Sequence, residues 1–215
     1  MRRVWCAWVR VVFLAVLVAL GSPALAQQSG KVLLIIRDAK LAESQFLDLA
    51  ISKEAGVMKA MLEKAGYVVE IASPTGEPWG TPTKTLKPDL KLSAVKVADY
   101  RGFIIPCLAI ESTTLDPDLA VVIKKAVEQG KPVAAQLGGV TMLAKAGVLS
   151  GKKYAIVGEI AMEFRDGIYS GSGVVKDGKI ITSGICPAAA SVFKGMQDGT
   201  AKLTETLIAE LKQSK

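Results

Sequence analysis

Lys31-Val-Leu-Leu-Ile-Ile-Arg37 decides the fold. It is an unbroken aliphatic and β-branched run, the pattern of a strand buried on both faces of a parallel sheet. A helix is expected from about Glu54 to Lys64, with Val57, Met58, Met61, Leu62 and Ala65 on one side and Gly66 as its stop. Tyr67-Val-Val-Glu-Ile-Ala72 is the next strand, so the chain opens β-α-β. Ser73 to Lys96 carries four prolines and several glycines and reads as a long irregular segment of the kind that forms sites. Gly102-Phe-Ile-Ile-Pro106 is a third buried strand. Asp116-Pro117 marks a helix start, with the aspartate as cap and proline at the first helical position. Leu119, Val122, Ile123, Ala126 and Val127 follow at helical spacing. Gly130 ends that helix, Pro132 to Leu137 is a fourth strand, and a helix begins at once over Val140 to Lys145. Val174 to Thr182 reads as a hairpin with an Asp-Gly turn. Two helices close the chain, the last carrying Leu203, Leu207, Ile208 and Leu211. Alternating strands and helices predict a single α/β domain over residues 27–215, a mostly parallel sheet with helices on both faces. Sites in such folds lie at the carboxyl ends of strands, which points to Arg37, to Pro106 to Leu108, and to Leu137 to Gly139.

Residues 1–26 read as a signal peptide rather than as part of that domain. Arg2, Arg3 and Arg10 supply positive charge, Val11 to Leu20 is the apolar run, and Ala24-Leu25-Ala26 is a small-x-small cleavage site before Gln27. The run is short for a membrane span, which needs roughly 20 apolar residues. The expectation is export to the periplasm or beyond, cleavage after Ala26 and no membrane attachment afterwards. Cleavage would remove three arginines and no acid, taking the net charge from +7 to +4. The remaining lysines are scattered among acids, with no basic stripe, so nucleic acid is not an expected partner.

The 215 residues hold three cysteines and no histidine. The missing histidine excludes Ser-His-Asp and Cys-His triads and histidine zinc sites. Cys6 leaves with the signal, so Cys107 and Cys186 remain. They are open to four readings: inert buried thiols, a disulfide, a relocated reactive thiol, or part of a metal site with a thin ligand set. Trp79, between Pro78 and Gly80, either rims a pocket or anchors packing. Gly167 to Gly173 lacks a phosphate-loop pattern and reads as an approach to the following strand.

Pro132-Val-Ala-Ala-Gln-Leu-Gly-Gly-Val-Thr-Met-Leu-Ala144 joins a strand to a helix with almost no loop. Such a turn holds one side chain at the strand end beside the N–H groups of the next helix, a geometry suited to a nucleophile and an oxyanion. Its apex is Leu137, which has no chemistry. A plainer role is a crossover whose glycines allow close helix–sheet packing.

With these pieces assembled, the chain resembles the ThiJ/PfpI family of the class I glutamine amidotransferase-like superfamily, relatives of the Parkinson-linked protein. The resemblance rests on Lys31 to Arg37, Glu54 ahead of the Leu62-Glu-Lys-Ala-Gly66 helix end, Ile71-Ala-Ser-Pro-Thr-Gly76, and Ile104-Ile-Pro106. It continues in Gly130-Lys-Pro-Val-Ala-Ala135, Leu143-Ala-Lys-Ala-Gly-Val-Leu-Ser-Gly151 and Val175 to Ser183. It implies a flavodoxin-like fold and cysteine hydrolase or glyoxalase chemistry. The family's nucleophilic cysteine falls on Leu137, its following histidine on Gly138 and its glycine on Gly139. Its glutamate falls on Glu54. From the residues alone Glu54 is an exposed acid in a first helical turn, favoured there by the macrodipole. With the resemblance it becomes a pocket carboxylate that loses solvation unless backbone N–H groups hold the anion.

The implied ligand pocket is Glu54, Cys107, Leu108, Leu137, Gly138, Gly139 and Cys186, with no metal and no cofactor. The expected function is an exported, stress-related protein without the family's catalysis, which binds a small molecule or a partner protein and forms a homodimer or other homo-oligomer. The alternative is a hydrolase, glyoxalase-type or thiol-redox enzyme using Cys107 or Cys186 with Glu54.

Overall fold

The computed structural model describes residues 29–37, 46–80, 84–107, 114–157, 164 and 166–213. The expected signal peptide at residues 1–26 and pocket residue Leu108 lie outside this set.

β1 (Lys31–Ile35) is an interior strand of the sheet, with Val32 to Ile35 fully buried. Its alternate side chains enter two separate cores. Leu33 and Ile35 pack with Phe103, Leu119, Ile123 and Leu143 on one face. Val32, Leu34 and Ile36 pack with Met58, Leu62, Leu203 and Leu207 on the other. This is why the run shows no polar alternation: neither face meets water.

The other strands are β2 (Val68–Ser73), β3 (Trp79–Gly80), β4 (Thr85–Leu86), β5 (Leu90–Lys91), β6 (Tyr100–Ile105), β7 (Val133–Gln136), β8 (Lys153–Tyr154), β9 (Ile168–Tyr169), β10 (Val174–Asp177) and β11 (Ile180–Ser183). Among the described residues one seven-stranded sheet has the order β10-β11-β7-β6-β1-β2-β5. Every pairing in it is parallel except the β10–β11 hairpin. The chain leaves β1 toward β2 and β5, then returns to lay β6 on the other side of β1. That reversal makes the carboxyl ends of β1 and β6 a topological switch point, where open α/β sheets form their crevice.

The helices follow the expected caps. Asp116 accepts hydrogen bonds from the N–H groups of Asp118 and Leu119 at 2.9 and 3.0 Å and starts the Pro117–Glu128 helix. The Thr200–Gln213 helix buries Leu203, Leu207 and Leu211.

Three local expectations change. The first long helix begins at Leu47, well before Glu54, with a π-helical stretch at Ala50–Ala55 leading into Gly56–Lys64. Glu54 therefore sits inside a helix, is buried, and is not a solvated first-turn acid. The segment from Ser73 to Lys96 is not wholly irregular: it forms the β3–β4 ribbon and the edge strand β5. Trp79 is 1% exposed within the second core, so it anchors packing and does not rim a pocket. Among the described residues no helix is long and apolar enough to cross a membrane.

Candidate functional site

β7 ends at Gln136 and the next helix, Gly138–Lys145, starts two residues later. Leu137 alone makes the turn, with φ 37° and ψ −94°, and it is the one residue other than glycine with positive φ among the described residues. A leucine in this region is strained by about 1–3 kcal/mol and persists only where its surroundings fix it. Both of its peptide groups are tied down. Its N–H donates to the Ser183 carbonyl at 2.8 Å and its carbonyl accepts from the Thr141 N–H at 3.2 Å.

The two glycines after it are required by closeness. A Cβ on Gly139 would stand 2.3 Å from the Ile105 carbonyl oxygen. One on Gly138 would stand 3.1 Å from the Cys107 carbonyl oxygen and 3.4 Å from its Sγ. The expected close packing of helix on sheet is thus present, and the helix start is pressed against the segment that follows β6.

Gln136 is fully buried one residue below the apex. Its Nε2 donates to the Ile185 carbonyl at 2.7 Å, and its Oε1 accepts from the Thr200 hydroxyl at 3.1 Å. Thr200 is fixed in turn by Asp198 at 2.7 Å. This network clamps the β7 end to the Ile185-Cys186 segment. It was not anticipated from sequence. The available signal was an amide closing an otherwise apolar strand, Val133–Gln136, because a buried amide needs partners.

Around the apex the fold gathers Glu54, Cys107 and Cys186. Glu54 is 1% exposed, and its Oε1 accepts the Cys107 N–H at 2.7 Å. The π-helical turn carries Glu54, and such turns recur at functional sites because they redirect a side chain. Cys107 and Cys186 are both buried free thiols. They share a small cluster with Val157, Ile185, Ala188 and Ala189, on which Phe46 and Leu137 pack. Cys186 also caps the Pro187–Val192 helix, its Sγ accepting from the Ala189 N–H at 3.5 Å. A hydrogen bond to Cys107, burial, and the charges of Cys107 and Glu54 push the Cys186 thiol far above the ordinary thiol range.

Arg37, at the end of β1, is 5% exposed. Burial pulls its guanidinium down to about 10, against the opposing pull of the nearby Cys107 thiol. In the sequence Arg37 stands out only as a strand end; the adjacency of β1 and β6 brings it near Cys107. Among the described residues no group of three or more acidic, cysteine or histidine side chains could hold a metal. A separate cavity of about 260 Å³ lies at the far end of the Gly138–Lys145 helix, lined by residues that include Lys145, Leu149, Phe164 and Asp166.

Removing the Glu54 acceptor leaves the Cys107 N–H buried without its partner. Glu54→Leu is expected to cost about 2 kcal/mol in urea unfolding, whereas Glu54→Gln, which keeps an acceptor oxygen, costs about half that or less. Equal losses for the two variants would mean that the carboxylate does not hold this N–H.

A family model described as the DJ-1/PfpI family matches residues 44–194. An uncharacterized protein of Archaeoglobus fulgidus is 32% identical over 147 residues, covering 66% of this chain and 85% of that protein. Drosophila melanogaster DJ-1beta superposes with a TM-score of 0.60 at 20% identity, over 86% of this chain and 95% of that one. A two-domain protein from Anabaena variabilis, with DJ-1/ThiJ/PfpI-like and ferritin-like domains, gives a TM-score of 0.63 at 19% identity over 85% of this chain. This chain spans 48% of that protein's length.

Proposed function

Because the chain belongs to the DJ-1/PfpI family, we propose that it is an exported member without cysteine-dependent catalysis at the strand-to-helix turn, and that it binds a small molecule at the carboxyl end of the sheet. The apex supports this: Leu137 holds the strained conformation of a nucleophile elbow, φ 37°, with an aliphatic side chain. Leucine cannot attack a carbonyl, and the chain has no imidazole to move a proton. What remains is an apolar floor of Leu137, Ile185 and the two thiols, beside the buried polar groups Glu54 and Arg37. A few polar groups at the edge of an apolar surface suit a compact, partly polar ligand. In this reading the protein acts in stress protection outside the cytoplasm, as a homo-oligomer, through that ligand or through a partner protein docked at the same end.

The purified protein is expected to leave a 2-oxoaldehyde, an amide and an ester unconsumed above the buffer rate. Appreciable turnover overturns the non-catalytic reading, and its loss on Cys107→Ser would assign the activity to the thiols. A small-molecule ligand at about 100 times its Kd adds about 2.7 kcal/mol of stability. That shift in Tm should vanish when Leu137→Trp fills the apex. N-terminal sequencing of exported material should begin at Gln27.

A further inference from the structure

We propose that Cys107 and Cys186 form a dithiol that reduces one small hydroperoxide and closes to an intramolecular disulfide at the carboxyl end of the sheet. The two thiols lie far apart in sequence. Cys107 follows β6 and Cys186 opens the Pro187–Val192 helix, yet both lie in one small buried cluster.

Their surroundings are not those of inert core cysteines, which sit among hydrocarbon alone. Cys107 lies near the buried Arg37 guanidinium, a charged neighbour that cysteines buried in hydrocarbon lack. Its backbone N–H is held by Glu54, which fixes the position of the residue. The Cys186 sulfur is engaged as the cap of its helix, accepting from the Ala189 N–H at 3.5 Å. The pair is therefore asymmetric: Cys107 is placed to attack and Cys186 to resolve. Cys107 is only 4% exposed, which favours the smallest oxidants.

The steps balance. The Cys107 thiolate attacks one oxygen of the hydroperoxide; an S–O bond forms and the O–O bond breaks. The departing alkoxide, or hydroxide, takes up the proton that Cys107 had released. Sulfur is oxidised to the sulfenic acid and the peroxide is reduced. The Cys186 sulfur then attacks the Cys107 sulfur. The S–S bond forms, the S–O bond breaks, and hydroxide leaves as water with the Cys186 proton. Two thiols and one hydroperoxide give one disulfide, one alcohol or water, and one water. No ligand is needed in the pocket, so failure of this step would leave the binding reading untouched.

The test treats the fully reduced native chain with one equivalent of hydrogen peroxide, quenches it, unfolds it and alkylates it with iodoacetamide before non-reducing peptide mapping. The expected result is loss of both thiols from alkylation and one linked peptide pair joining Cys107 to Cys186, lighter by two hydrogens and restored by reductant. In Cys186→Ser, Cys107 should instead gain one oxygen that dimedone captures, and in Cys107→Ser neither product should form. Full alkylation of both thiols after peroxide overturns the proposal. So does sulfinate at Cys107 in the unsubstituted chain in place of the linked pair. Mapping of the unsubstituted chain decides the matter even if a variant does not fold.

Discussion

Gly139→Ala is expected to remove about 3 kcal/mol of folding stability, lowering Tm by about 6–12 °C. The added Cβ would stand 2.3 Å from the Ile105 carbonyl oxygen and 3.1 Å from its carbonyl carbon. Neither side can yield cheaply. Ile104 of β6 is paired with Leu34, and Ile105 with Ala135, in the centre of the sheet. The Gly138–Lys145 helix is held from its other faces by buried Val140, Met142 and Leu143. Packed interiors transmit such a clash as backbone strain. Gly173→Ala is the control, since a Cβ there meets nothing within 4 Å, and its effect should stay within about 0.5 kcal/mol. Thermal unfolding of the two variants side by side decides it. Similar Tm values would show that the helix does not seat directly on β6.

Leu137→Cys is expected to create a thiol that iodoacetamide modifies about tenfold or more faster than Cys107 or Cys186. The backbone conformation there is set by the hydrogen bonds to Ser183 and Thr141, which do not involve the side chain. Cysteine would inherit the leucine's place at the start of the Gly138–Lys145 helix, where the positive end of the helix dipole favours a thiolate. Leu137 is only partly buried, whereas the native thiols are 4% and 1% exposed. Faster alkylation without amide or ester turnover is the full expectation, because restoring sulfur supplies no imidazole in a chain with no histidine. A new thiol that reacts no faster than Cys107 would mean that the turn does not present its apex residue as an elbow does.

Much of this fold was legible before any coordinates. Lys31 to Arg37 announced a strand covered on both faces, Asp116-Pro117 a capped helix, and Pro132 to Ala144 a turn with Leu137 at its apex. Each rests on interactions between near neighbours in sequence or on a periodicity that burial imposes. The elements that were misread depend on distant partners. β5 is two residues long and forms because β2 offers it an open edge. The helix before Gly66 extends back to Leu47, with a π-helical stretch that the spacing of apolar residues did not signal.

The candidate site divides the same way. The sequence by itself determined that the chain has no histidine, that leucine stands at the turn, and that Cys107, Cys186 and Glu54 are the side chains with chemistry to offer. The family resemblance implied that these side chains share a pocket; only the tertiary structure decided that Arg37 joins them, that the Glu54 carboxylate holds the Cys107 N–H, and that Gln136 clamps the floor beneath. The physical reason is topological. A parallel sheet brings strand ends together in an order set by crossover connections, so contacts among residues 37, 54, 107 and 186 leave no local pattern along the chain.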